Sequence, residues 1–299
     1  MTINQGYCYR HVIQSDATRH SLASYLATHF SHSSQSQWED RLRGGEIVLG
    51  NEVASGSEEL RAGQVLLWNR PGWLEQDAPQ SYSVIYSDEH LLAVSKPSGL
   101  PTIPGGGYFE NTLLSKVRRD FPEARPVHRL GRATSGIVLF ALSPVAAFQL
   151  TRNWHQIQKQ YQALALGRAL QDAYDIASPI GKCNHPRLGQ VFAANPEGKP
   201  SRSMARVVEL RESTTLFEVD LLTGRPHQIR IHLAFIGYPL VGDPLYTFGG
   251  VPKSDDPGLP GDLGYHLHAK RLVLEHPVTQ LILTLESPIP ALLQNEIAS

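Results

Sequence analysis

Two stretches of this chain gather cations without acids. Ala124 to Gln171 contains Arg125, Arg129, Arg132, Arg152, Lys159 and Arg168, and Thr223 to Gly242 contains Arg225 and Arg230 with His227 and His232. Brought onto one surface, they would attract phosphates even though the net charge is only −1. The plainer reading is ordinary arginines with acidic partners elsewhere in the fold. Arg outnumbers Lys by 20 to 7, which favours planar, bidentate and stacking contacts. Tyr161 and Ser135 within the first stretch, and Asp220 and Asp243 just outside the second, are groups that can move protons or react.

Two other chemistries compete. Ser135 and His128 contain the parts of a nucleophile and base, but no G-x-S-x-G elbow surrounds the serine. His227 and His232, His266 and His268, and Cys183 with His185 can be read as a metal site, giving a metal-dependent hydrolase. Side chains five apart on a helix diverge by about 140°, so the first pair does not share a face. No metal is expected.

Positioning these residues requires ordered elements around them. Leu22, Tyr25, Leu26 and Phe30 have helical spacing, and Trp38 to Leu42 suits a second short helix stopped by Gly44 and Gly45. Glu46 to Val53 reads as two strands about a Gly-Asn turn, and Gly63 to Trp68 as another strand. Asn69 to Gln80, rich in Pro, Gly and acids, reads as a linker. Beyond it, Tyr82–Tyr86 and Leu91–Ser95 predict strands, and the apolar run Gly136–Leu142 a buried one. Ser143-Pro144 is a helix start, with the helix running to about Gln158. Tyr161–Leu166 and Leu216–Leu221 predict strands, and Gln228–Ile236 a helix closed by Gly237. Strands and helices do not alternate, so the fold class is α+β with a central, mostly antiparallel sheet. Residues 1–72 would form a small α+β module and residues 80–299 the larger domain.

Several blocks occur together: Lys96-Pro-Ser-Gly99, His128-Arg-Leu-Gly-Arg-Ala-Thr-Ser-Gly136, Lys159-Gln-Tyr-Gln-Ala163, Thr223-Gly-Arg-Pro-His-Gln-Ile-Arg230 and Val241-Gly-Asp-Pro-Leu-Tyr246. Leu267-His-Ala269 and Glu275-His-Pro277 follow. In this order they resemble the RluA-like family of RNA pseudouridine synthases, over roughly residues 82–292. Residues 1–70 look like the small RNA-binding domain, named after a ribosomal small-subunit protein, that often precedes such a catalytic domain. That segment is acidic where a phosphate binder should be basic: residues 1–80 hold 6 Lys/Arg and 9 Asp/Glu.

The resemblance implies isomerisation of uridine to pseudouridine in ribosomal or transfer RNA, without metal, nucleotide or redox cofactor. It makes Tyr161 the tyrosine packed on the target base and Arg225 the partner of a catalytic aspartate. Arg129 would fill the gap left by a flipped uridine, and Lys96, Arg132 and Arg230 would contact phosphates. The family pattern H-R-L-D-x-x-T-S-G reads here with Gly131 at the aspartate. Three readings follow: a catalytically inactive RNA-binding protein, a replacement carboxylate from Asp220 or Asp243, or a remodelled active pocket. Gly131 can also be a plain turn glycine at positive φ, and Asp243 a turn stabiliser.

Composition sets the outer bounds. The 299 residues are 41% hydrophobic and 18% charged, below the ~25% of an average domain, so long charged tails are not expected. Two cysteines, Cys8 and Cys183, cannot frame a disulfide scaffold and suit a reducing compartment. No secretory h-region opens the chain and no apolar run approaches the ~20 residues of a membrane span. A cytoplasmic monomer with RNA as its partner is expected.

Overall fold

The computed structural model describes residues 2–15, 21–30 and 32–295. It divides into two compact units, Met1–Gln76 and Asp77–Ser299.

In the first unit a four-stranded antiparallel sheet runs in the order β1 (Tyr7–Val12), β4 (Val65–Arg70), β2 (Ile47–Leu49), β3 (Glu52–Val53). Helices α1 (Leu22–His29) and α2 (Gln35–Arg43) bury Leu22, Tyr25, Leu26, Trp38 and Leu42 in a core shared with Ile47, Leu66 and Trp68. Ser34 and Gln37 form a reciprocal capping box that starts α2. The expected linker is partly a strand: Leu74–Glu75 pairs antiparallel with Thr2–Ile3. The Asn4 side chain fastens that corner by donating to Glu75 at 2.5 Å. Pro and Gly signalled irregular backbone in this segment but concealed its pairing, and Asn69 and Arg70 still belong to β4.

The second unit is built on a long mixed sheet. Its strands are β5 (Ser83–Ser87), β6 (Leu91–Lys96), β7 (Ser135–Ala141), β8 (Gln158–Leu166), β9 (Ala173–Ile176), β12 (Ser203–Leu210), β13 (Thr214–Leu221) and β14 (Leu267–Glu275). Their order is β9-β12-β13-β8-β14-β7-β6-β5. Strand β15 (Ile282–Glu286) and the pair Arg125–Pro126 attach to β14 and β7. All pairings are antiparallel except β7 with β14, where Ser135 faces His268 and Gly136 faces Ala269. A separate hairpin, β10 (Ile180–His185) with β11 (Gly189–Ala194), stands beside the sheet.

Every residue of β7 is buried, because the sheet is covered on both faces. One face packs Val138 and Phe140 with Leu92 and Val94; the other packs Ile137 and Leu139 with Leu91 and Leu272. Each such aliphatic contributes roughly 1.5–3 kcal/mol of burial. Gly136 is required at this crossing: its φ is +108°, and a Cβ would lie 2.2 Å from the Ala269 carbonyl. Helix α4 (Pro144–Asn153) begins at Ser143, whose hydroxyl accepts from the Ala146 N–H, with Pro144 in the first turn. Helices α3 (Leu113–Asp120) and α5 (Gln228–Phe235) complete the unit. No described helix is long and apolar enough to cross a membrane.

Candidate active site

The loop between Pro126 and β7 carries the His-Arg-Leu-Gly block. Leu130 and Ala133 are buried in the core that also contains Tyr161, Ile229 and Tyr265, which leaves Gly131 exposed at the surface. The Thr134 N–H donates to the Gly131 carbonyl at 3.1 Å and closes the turn. Gly131 does not have a positive φ, so the turn-glycine explanation is corrected: this backbone accepts any L-residue. The constraint is steric, since a Cβ on residue 131 would lie 3.1 Å from the Tyr265 hydroxyl and 3.6 Å from Thr134 Oγ1. Those two hydroxyls are 3.3 Å apart.

Tyr161 lies on β8 opposite Val219 of β13, with its ring in the same buried cluster as Tyr265. Burial pushes its hydroxyl up to about 12, so it is a protonated phenol at neutral pH. No described residue hydrogen-bonds that hydroxyl, and 8% of the residue stays accessible.

Arg225 precedes α5. Its Nε and Nη2 donate to the Pro200 carbonyl at 3.2 and 3.1 Å, and it has no acidic partner among the described residues. Gln228 organises this turn by accepting from the Arg225 N–H and the Thr223 hydroxyl. Arg129 is exposed, without a hydrogen bond or ion pair among the described residues. Arg132 is half-buried and anchored: Nε donates to the Gly261 carbonyl at 3.0 Å and Nη1 to the Tyr108 hydroxyl at 2.6 Å.

Two expected phosphate contacts are corrected. Lys96 is fully buried at the end of β6, its Nζ donating to the carbonyls of Pro97, Leu100 and Arg132. Burial lowers it to about 7. It pins the loop behind Gly131 from within. Arg230 is 2% exposed and makes two 2.8 Å bonds to the Asp243 carboxylate. Its Nη1 donates to the Pro260 carbonyl, and its guanidinium lies 4.2 Å above the Tyr265 ring and 4.9 Å above Tyr246. A cation compensated in this way holds aromatics in place.

The replacement carboxylates are also occupied. Asp243 accepts from Arg230 and from the Leu245 and Tyr246 N–H groups. Asp220 pairs with Arg206 at 2.6 Å and accepts from Gln160 at 3.1 Å. Gln160 and Asp220 are register partners, and Tyr161 pairs with Val219, so Asp220 points to the sheet face opposite Tyr161.

The histidines and Ser135 have local tasks. His128 is stacked on Trp154 and accepts from the Leu139 N–H; burial, with Lys159 nearby, lowers it to about 3. Ser135 pairs with His268 Nδ1 at 2.9 Å instead of with His128. His232 contacts Ser201, Ser203 and the Ser178 carbonyl, and His185 holds the Lys253 carbonyl and its own turn. No group of three His, Cys, Asp or Glu among the described residues is arranged to hold a metal.

Tyr265 went unremarked in the sequence, and His227 showed no role there beyond a metal reading that its spacing disfavoured. Tyr265 precedes β14 between Gly264 and His266, and only the parallel β7–β14 pairing brings it to Gly131. His227 has a left-handed backbone, φ +57°, rare for a residue with a Cβ and a frequent mark of functional turns. Tyr246 donates its one hydroxyl proton to the Phe192 carbonyl, so His227 Nδ1 must donate to Tyr246. Nε2 is then a bare acceptor with no described partner. Burial, Arg230 and Arg129 outweigh Asp243 and lower His227 to about 4, keeping it neutral. The exposed Gly131 turn thus adjoins the Tyr265 hydroxyl, and the same unit holds the protonated phenol of Tyr161, the neutral imidazole of His227, and Arg129 and Arg225 without acidic partners among the described residues.

Phenols, a neutral imidazole and arginines without acidic partners are groups that can transfer protons and attract phosphate. The sequence profile of the RNA pseudouridylate synthase family matches residues 90–235. An uncharacterised RNA pseudouridine synthase of Synechocystis sp. is 37% identical over 90% of this chain and 94% of its own length. RNA pseudouridine synthase 5 of Arabidopsis thaliana is 35% identical over 98% of this chain and 95% of its own. A ribosomal large subunit pseudouridine synthase D of Nitrosomonas europaea is 38% identical over 69% of this chain and 62% of its own. The solved human RNA pseudouridylate synthase domain containing 1 covers 73% of this chain and 87% of itself with a TM-score of 0.57 at 24% identity, a likeness of fold. The chain belongs to the RNA pseudouridine synthase family, within its RluA-like branch.

Proposed function

We infer that this chain isomerises a specific uridine of structured RNA to pseudouridine, and that ribosomal RNA is its substrate. The observation that carries the reading is the exposed Gly131 turn, where a Cβ would meet the Tyr265 hydroxyl at 3.1 Å, in a unit whose Tyr161 hydroxyl is unpartnered and whose Arg129 and Arg225 have no acidic partner among the described residues. Tyr161 packs on the flipped uracil and offers it a proton donor. Arg129 fills the vacated stack. Arg225, with no carboxylate at position 131, holds a backbone phosphate. The relatives named for the ribosomal large subunit support the choice of RNA.

The second reading, a catalytically inactive RNA-binding protein, rests on one observation: Asp220 and Asp243 are both committed to other arginines. The two readings separate on turnover. Purified protein incubated with ribosomal and transfer RNA fractions from cells lacking it should form pseudouridine in the ribosomal fraction only. Tight, salt-sensitive binding without pseudouridine in either fraction would establish the second reading.

A further inference from the structure

If this chain is an active synthase, some group must serve the anomeric carbon that no carboxylate reaches. We propose that the Tyr265 hydroxyl is that nucleophile, working in the space beside residue 131. It is the nearest atom to a Cβ built there, at 3.1 Å. A side chain on residue 131 and the Tyr265 hydroxyl compete for adjoining volume, so glycine at 131 and tyrosine at 265 form a matched pair. The hydroxyl is held for this task. Arg230 covers the ring at 4.2 Å, and that guanidinium is itself clamped by Asp243 and Pro260. Thr134 Oγ1 fixes the hydroxyl from the other side at 3.3 Å. Residue 265 is 5% exposed, so its ring is locked, and attack on a sugar requires its hydroxyl to exchange the Thr134 contact for the substrate.

The proposed chemistry balances without a further reactant. The phenolic oxygen bonds to C1′ as the C1′–N1 bond breaks, and the phenolic proton ends on N1 of the released uracil. The uracil turns within the pocket. Its C5 then bonds to C1′ as the C1′–O bond breaks, and the C5 proton returns to the tyrosine oxygen. The sum moves one proton from C5 to N1 and exchanges N1 for C5 at the sugar. Tyrosine is an established type of nucleophile at anomeric carbons.

The test uses purified full-length protein and total RNA from cells lacking it, with pseudouridine measured in nucleoside digests. Tyr265→Phe keeps the ring beneath Arg230 and removes only the hydroxyl, so its melting temperature should stay near wild type. Its turnover should fall by at least about 100-fold, the low end for losing one reacting group; a smaller loss overturns the proposal. Gly131→Ala leaves Tyr265 untouched but sets a methyl 3.1 Å from its hydroxyl. It should slow turnover without weakening RNA binding, and an Ala variant as active as wild type also overturns the proposal. An inactive wild type would refute the synthase reading itself and this assignment with it, whereas an active wild type with an active Tyr265→Phe removes this assignment alone.

Discussion

Replacing Asp243 with Asn tests whether the buried Arg230–Asp243 pair is the brace of the site. Asn retains an oxygen for the Leu245 and Tyr246 N–H groups and one hydrogen bond to Arg230, but the charge is gone. Both side chains are at most 2% exposed, so the guanidinium is left buried without its counter-ion. Breaking one side of a buried pair costs about 3–5 kcal/mol. For a unit of this size about 2–4 °C accompany each kcal/mol, so the melting temperature should fall by roughly 6–20 °C. The pH dependence has a definite sign. Burial acts to raise the Asp243 carboxyl, but the Arg230 bonds and charge and the two N–H groups outweigh it and hold it below its usual range. A lowered carboxyl stabilises the fold fully above the unfolded value of about 4, and that contribution disappears as pH falls through the lowered one. The wild-type advantage over Asp243→Asn should therefore be constant near neutrality and shrink in acid. Melts by circular dichroism from pH 7 down to pH 3 read both effects. A loss below about 1 kcal/mol at pH 7, the range of an exposed pair, would refute the assignment of Arg230 as a brace.

Tyr161→Phe removes a hydroxyl with no described partner; stability should change by no more than about 0.5 kcal/mol while pseudouridine formation collapses, as paired melts and turnover assays would show. Arg129→Ala should leave the melt unchanged and weaken RNA binding in filter-binding titrations, whereas Arg225→Ala should reduce the salt slope of log K by about 1. Lys96→Met leaves three carbonyls without their donor. It should cost at least about 2 kcal/mol yet leave the salt slope of RNA binding unaltered, because Nζ faces inward.

The most legible parts were those whose local signals agree with their packing. The run at 136–142 has no polar position and became a strand buried on both faces, and Ser143-Pro144 specified the start of α4 through the hydroxyl cap and the fixed φ of proline. Strand β1, Tyr-Cys-Tyr-Arg-His-Val, passed unnoticed because four of its six residues are exposed and it shows no alternation. Helix α3 was missed although Leu113, Lys116 and Val117 share its buried face behind the Thr112 cap; two turns following a glycine-rich loop make a short signal. In the site, residue type misled at Lys96 and Arg230: both sit in basic blocks, and nothing local distinguishes a cation satisfied by three carbonyls, or clamped by an aspartate thirteen residues later, from one facing solvent. Tyr265 reaches Gly131 across 134 positions of sequence through a parallel strand pairing, and such register carries no short-range mark.

An active synthase of this sequence must turn over RNA with a pocket that lacks the aspartate. That turnover is tested most directly by incubating purified wild-type protein with ribosomal RNA from cells lacking it and mapping pseudouridine position by position. Pseudouridine should appear at a defined uridine and be absent from the same RNA treated with Tyr161→Phe. Ribosomal RNA that binds the protein yet gains no pseudouridine at any position would contradict synthase activity.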